Sequence, residues 1–133
     1  MLKARLSKEV VLKMQNDVGV LDQIVKHIAD KGINLVAVSC WVDGDQCVLR
    51  FVTEDNLRVA DALRAQGHRP READVVVTEV PHKPGMLRRV TDRLSQGGID
   101  IHHLYVTGTL AQDNCLLVFA TANNDHALVL LNG

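Results

Sequence analysis

Six histidines and three cysteines are the residues of this chain that could ligate a metal or act as nucleophiles. Their spacing supplies neither chemistry. His102 and His103 are adjacent in an extended run, so their side chains leave on opposite faces and cannot easily share one ion. His27, His68 and His126 fall on helical or turn segments, and no His or Cys spacing matches a closed zinc set. Cys47 and Cys115 occupy equivalent places in two strands, where small thiols pack as core hydrophobes. No Ser-His-Asp order, phosphate loop or dinucleotide fingerprint is present. Asp43-Gly44-Asp45 lacks the spaced acids and terminal Glu of a calcium loop. It reads as a hairpin tip. No metal, no cofactor and no catalytic residue is therefore expected.

Two loops hold more promise, Gln15-Asn16-Asp17-Val18-Gly19-Val20-Leu21 and Pro81-His82-Lys83-Pro84-Gly85-Met86-Leu87. Each precedes a helical pattern. Free amides at a helix N-terminus, together with the helix dipole, favour a carboxylate there. A glycine lets a ligand approach the backbone, and Asn16 or His82 could add a side-chain contact. The plain alternative is helix capping by Asn16 or Asp17. Recurrence weighs against capping alone.

The loops recur because the chain repeats itself. Gly19-Val20-Leu21 returns as Gly85-Met86-Leu87, and Gly32-Ile33-Asn34-Leu35 as Gly98-Ile99-Asp100-Ile101, in a register of 66 residues. Cys47, Leu49, Phe51 and Thr53 return as Cys115, Leu117, Phe119 and Thr121 in a register of 68. The two extra residues fall in one hairpin, the Thr107-Gly108-Thr109-Leu110-Ala111-Gln112-Asp113 stretch, as a duplicated module tolerates.

Each copy has the pattern of a split βαβ. In the first, Glu9–Met14 reads as a strand and Val20, Leu21, Ile24, Val25, Ile28 and Ala29 mark one helical face ended by Gly32. A β-branched run from Ile33 to Val42 and a strand from Gln46 to Thr53 follow. Glu54-Asp55-Asn56 opens a second helix with Leu57, Val59, Ala60 and Leu63 as its apolar set. His68–Val80 is extended again, with Pro70 at a sheet edge. The second copy reads as Asp74–Val80, a helix from Pro84 to Gln96 with Pro84 in its first turn, strands Ile99–Thr107 and Asn114–Thr121, and a helix from about Asn124. The fold class is α+β: two tandem ferredoxin-like βαββαβ sandwiches, antiparallel sheets with helices on one face. The expected domains are 1–73 and 74–133. The second lacks its last strand, so either the chain is cut short or a neighbouring segment fills that edge. The second strand places Leu35, Ala37 and Trp41 on one face and Val36, Val38, Cys40 and Val42 on the other. Apolar residues on both faces predict cover on both sides, hence sheet-to-sheet packing with a partner unit or subunit.

Bulk composition narrows the partners. Charge is near balance at −1 with interspersed signs, and aromatics are 3%, so no nucleic-acid surface is expected. Val48-Leu49-Arg50-Phe51-Val52 does not match the RNA-platform pattern. The first eight residues lack the apolar core of a secretory signal, and no apolar run approaches the ~18 residues of a membrane span. With an odd cysteine count and no disulfide framework, a cytoplasmic location is expected and no membrane partner.

The motif pairs Asn16-x-x-Gly19-Val20-Leu21 with Gly32-Ile33-Asn34-Leu35, and His82-Lys83-Pro84-Gly85-Met86-Leu87 with Gly98-Ile99-Asp100-Ile101, resemble the ACT domain over about residues 9–131. The ACT domain is a βαββαβ module that binds amino acids and regulates metabolic enzymes. The closest likeness is to stand-alone tandem ACT proteins without a catalytic domain. The resemblance implies a ligand where the first loop of one module meets the start of the second strand of its neighbour. Asn16, Asp17, Val18, Gly19, Val20 and Leu21 would then face Asp100, and His82, Lys83, Gly85, Met86 and Leu87 would face Asn34. Met14 stands where serine-sensing members carry histidine, and His82 and Asp100 replace asparagines. Asp100 could hold an ammonium but would repel a carboxylate, so inequivalent sites are expected. The implied role is a non-catalytic amino-acid-binding regulator, a homo-oligomer through sheet packing. The alternative is an interaction subunit that docks on a biosynthetic enzyme without a ligand of its own. An acylphosphatase-like enzyme would need an Arg and Asn pair that is missing from its expected places.

Overall fold

The computed structural model describes residues 2–109 and 111–133; Met1 of the N-terminal segment and Leu110 of the longer hairpin lie outside the described residues. The elements run β1 (Lys3–Gln15), α1 (Val20–Asp30), β2 (Leu35–Asp43), β3 (Gln46–Thr53), α2 (Asn56–Ala65), β4 (Arg71–Pro81), α3 (Met86–Gln96), β5 (Ile101–Thr107), β6 (Asn114–Thr121) and α4 (Asn124–Asn132). The chain divides into two compact units, one of Lys8–Ala73 and one of Asp74–Gly133 together with residues 2–7. Each is a βαββαβ arrangement with an antiparallel sheet and helices on one face.

In the first unit the sheet order is β2-β3-β1, with Arg71–Ala73 of β4 next to β1. Val10, Leu12 and Met14 of β1 and Cys47, Leu49 and Phe51 of β3 face Ile24, Ile28, Val59 and Leu63 of α1 and α2. The helical spacing of those four residues is what aims them at the sheet. Burying one such side chain contributes about 1.5–3 kcal/mol. Leu57, read as part of the apolar set, is exposed, because it lies on the outer side of α2. On the face away from the helices Glu9 is fully buried, and its Oε1 accepts a 2.7 Å hydrogen bond from Arg50 Nη1. The Arg50 guanidinium lies 5.9 Å from the Trp41 ring centroid. At matched positions the second unit has Val75 and Val118, both buried.

The second unit has the order β5-β6-β4, and its fourth strand is the beginning of the chain. The expected gap at this edge is closed by Lys3–Ser7 of β1. Thr78 Oγ1 donates to the Lys3 carbonyl at 2.8 Å. Asn132 grips Ala4 from both sides, Oδ1 accepting from its N–H at 2.7 Å and Nδ2 donating to its carbonyl at 2.9 Å. Leu2 is buried in this unit's core and Ala4 packs against it, with Val76, Val80, Met86, Val90, Leu94, Phe119 and Leu131. The boundary therefore differs from 1–73: residues up to Ser7 go with the second repeat, because their alternating pattern continues the strand backwards and pairs an edge that would otherwise lack partners.

Each outer strand carries a bulge, after Leu35 in β2 and after Ile101 in β5. One extra residue flips the alternation downstream. Val38, Cys40 and Val42 pair with Phe51, Leu49 and Cys47 and so share the helix-side face with Leu35, while Ala37, Ser39 and Trp41 take the other. That regroups the faces expected from simple alternation. Within the chain Val36, Val38, Trp41 and Val42 are exposed, because β2 is the outer strand of its unit.

Candidate ligand site at the first-helix mouths

β1 ends at Gln15, and the Asn16 N–H donates to the Asp45 carbonyl at 2.8 Å, tying the loop to the neighbouring hairpin. Asp17-Val18-Gly19-Val20 then closes a turn through Val20 N–H to the Asp17 carbonyl at 3.1 Å. Gly19 has φ 86° and ψ 0°, the third-position geometry of a type II turn, which a side chain would strain. A Cβ placed there would meet nothing within 4 Å, so conformation and not crowding demands the glycine. Gly19 is also the N-cap of α1, and no side chain caps the helix. The plain alternative, a cap by Asn16 or Asp17, is not formed: the turn engages their backbone groups and Gly19 takes the capping position.

The second mouth repeats this. His82 N–H donates to the Asp113 carbonyl at 2.8 Å, and Met86 N–H reaches the Lys83 carbonyl at 3.4 Å. Gly85 has φ 87° and ψ −9°, and again no side chain caps α3. Pro84 stands before the helix, which begins at Met86, because a type II turn accepts proline at its second position. Beyond each glycine the first helical amides have no carbonyl within the helix to bond.

The other two helices begin differently. Asp55 accepts from Arg58 N–H at 3.2 Å, and Asn123 from His126 N–H at 3.1 Å. Behind them Asn56 Oδ1 accepts from both Thr53 N–H and Thr53 Oγ1 while its Nδ2 donates to the Lys8 carbonyl. Asn124 makes the same bonds with Thr121 and Asp74.

Beside the first mouth lies a cleft of about 380 Å³ lined by Lys13, Met14, Gln15, Asp17, Val20, Gly67, His68 and Arg69. Gly67 and His68 end α2, with Gly67 N–H to the Arg64 carbonyl and His68 N–H to that of Leu63, both at 3.0 Å. This is a Schellman stop, and it delivers His68 and Arg69 to the cleft. Lys13 and Arg69 supply positive charge, Asp17 negative. A smaller hollow of about 170 Å³ at the second mouth is lined by Gly85, Arg88, Arg89 and Asp92.

Of the residues singled out from sequence, Asp17 and Val20 line the larger cleft and Gly85 the smaller. Asn16, Val18, Leu21, His82, Lys83 and Leu87 are exposed around the two mouths, Val18 fully so. Met86 is buried with Val90 and Leu94 along the core side of α3, so it can offer a ligand only backbone. Asn34 and Asp100 sit at the entrances of β2 and β5, their carbonyls accepting from Glu54 and Ala122 N–H and their side chains exposed. His102 Nε2 is 3.8 Å from an Asp100 carboxylate oxygen. Lys13, His68 and Arg69 were not singled out; nothing in sequence spacing brings the end of α2 to the end of β1.

Among the described residues no group of three or more His, Cys, Asp or Glu could hold a metal. Cys47 and Cys115 are buried in the two cores. Burial and the neighbouring Cys47 thiol, 3.5 Å away, push the Cys40 thiol up to about 11, the reverse of an activated nucleophile. No helix among the described residues is long and apolar enough to cross a membrane.

No curated protein matches this sequence. Among solved structures, BT0572 of Bacteroides thetaiotaomicron has a TM-score of 0.89 at 26% identity, with 97% of this chain and 88% of that one covered. The ligand-free regulatory subunit of aspartate kinase from Thermus thermophilus has a TM-score of 0.67 at 11% identity, covering 97% and 94%. A putative C-terminal regulatory domain of aspartate kinase from Porphyromonas gingivalis has a TM-score of 0.56 at 14% identity, covering 97% and 94%. The latter two likenesses are of fold. The model of the ACT domain pair matches residues 6–132, nearly the whole chain, and the protein belongs to that family.

Proposed function

We propose that this chain is a non-catalytic regulatory protein that binds a small amino acid at its first-helix mouths, each completed by an adjoining ACT unit. The observation that carries the reading is the pair of glycine-turned, uncapped mouths, each opening beside a hollow that holds both signs of charge. At the first mouth a ligand carboxylate would meet the amides after Gly19 with Lys13 or Arg69 nearby, and its ammonium would meet Asp17. Amino-acid binding would act by favouring one arrangement of units over another, through differential affinity. Association of copies along the outer strand β2 belongs to the same reading, supported by the exposed Val38 and Val42 on its helix-side face and Trp41 on the other.

The same exposed strip favours a second reading, in which the chain is a regulatory subunit docking on a biosynthetic enzyme without a ligand of its own. Thermal unfolding with each of the twenty amino acids at millimolar concentration separates the two. The first reading expects a chemically related subset to raise Tm. A ligand at 100 times its Kd adds about 2.7 kcal/mol, which is several degrees for a chain of this size. No shift with any amino acid would contradict the first reading and leave the second.

A further inference from the structure

A cleft of about 350 Å³ in the second unit is lined by Lys3, Arg5, Glu79 and Asn114, and by no residue of either helix mouth. Lys3 and Arg5 are two apart on a strand and so project to the same side. Ala4, between them, points the other way into the core. The backbone that carries the two cations is fixed at three points, by Thr78 Oγ1 on the Lys3 carbonyl and by the Asn132 side chain on both polar groups of Ala4. Asn114 pairs with Pro81 in the sheet, two residues beyond Glu79, and its Nδ2 reaches a Glu79 carboxylate oxygen at 3.5 Å. Among the described residues neither Lys3, Arg5 nor Glu79 is in an ion pair. Three charges line one cleft and none neutralises another.

We propose that this cleft is a second ligand site, independent of the helix mouths, and that it takes an acidic α-amino acid. Two cations and one carboxylate are the complement of a molecule with two carboxylates and one ammonium. The carboxylates go to Lys3 and Arg5, and the ammonium to Glu79, with the Asn114 amide oxygen as a further acceptor. A neutral amino acid leaves one cation unmatched. A dicarboxylate without nitrogen leaves Glu79 unmatched and facing a like charge. The volume holds an amino acid the size of aspartate or glutamate with a few waters.

The experiment is an amide-resolved NMR titration of the full chain with L-aspartate, L-glutamate, L-asparagine and succinate, repeated on Glu79→Gln and Arg5→Gln. Both variants alter exposed side chains, so the fold survives them. The proposal expects aspartate or glutamate to shift resonances at Lys3–Arg5, Glu79 and Asn114, with asparagine and succinate at least 10-fold weaker. Glu79→Gln weakens the acidic amino acid at least 10-fold and strengthens succinate, a reversal that a mere patch of positive charge does not give. Arg5→Gln weakens both. Equal affinity for succinate and aspartate in the parent chain, no reversal in Glu79→Gln, or no shift at any of these residues overturns it. The amides at Gly19 and Gly85 report on the helix mouths in the same spectra, so failure of either site is seen separately.

Discussion

The first and second helices of each unit begin in opposite ways. α2 and α4 start under an Asp or Asn side chain, backed by an Asn that binds a Thr hydroxyl, a Thr amide and a strand carbonyl. α1 and α3 start at a left-handed glycine with no side chain over it. At α1 a lack of suitable residues is not the reason, since Asn16 and Asp17 lie just before Gly19, whereas His82-Lys83-Pro84 before Gly85 offers α3 no such side chain. The chain caps α2 and α4 with side chains and leaves the starts of α1 and α3 bare. Side-chain capping stabilises a helix but fills the place a ligand carboxylate would take.

That contrast can be broken by substitution. Asn56→Ala, or Asn124→Ala in the other unit, removes three hydrogen bonds and should cost about 3 kcal/mol at roughly 1 kcal/mol each. A urea titration reads this as a lower midpoint at unchanged slope; a loss under 1 kcal/mol would mean the network contributes little. Gly19→Ala and Gly85→Ala force a Cβ into the left-handed region and should cost about 1–2 kcal/mol each, with no added steric penalty since the space is open. If they prove neutral by the same titration, the turns relax and glycine is not required. Asp55→Ala and Asn123→Ala should each lose about 1 kcal/mol. Smallest of all, Asn16→Ala and His82→Ala should change stability by less than about 0.5 kcal/mol, because their side chains cap nothing. A stability loss as large as that of Asp55→Ala would show that all four mouths are capped alike and remove the distinction.

Much of this was legible in the sequence. The repeated Gly-x-Leu and Gly-Ile motifs placed both first helices and the left-handed glycines that end them, Gly32 and Gly98, and the runs Gln46–Thr53 and Asn114–Thr121 are the observed β3 and β6 to the residue. The N-terminal part of β1 is not read from sequence, where the strand begins at Glu9: Leu2 and Ala4 alternate with Lys3 and Arg5, but a short charged segment reads as a strand only once an open edge awaits it. The bulges after Leu35 and Ile101 have no sequence signature, and each reverses which residues share a face downstream. Pro84 reads from sequence as the first helical residue, but the positive φ at Gly85 makes it the second residue of a type II turn and starts the helix at Met86. His68 and Arg69 join the cleft through the tertiary placement of the end of α2, which local periodicity does not encode.

The most direct test of the account follows backbone amides while an amino acid that raises Tm is titrated into the full chain. The account predicts saturable shifts at Gly19 to Asp22 or at Gly85 to Arg88, the open mouths, with the amides of Arg58 and His126 under their side-chain caps unmoved. Shifts at Arg58 and His126 with none at the open mouths would contradict it.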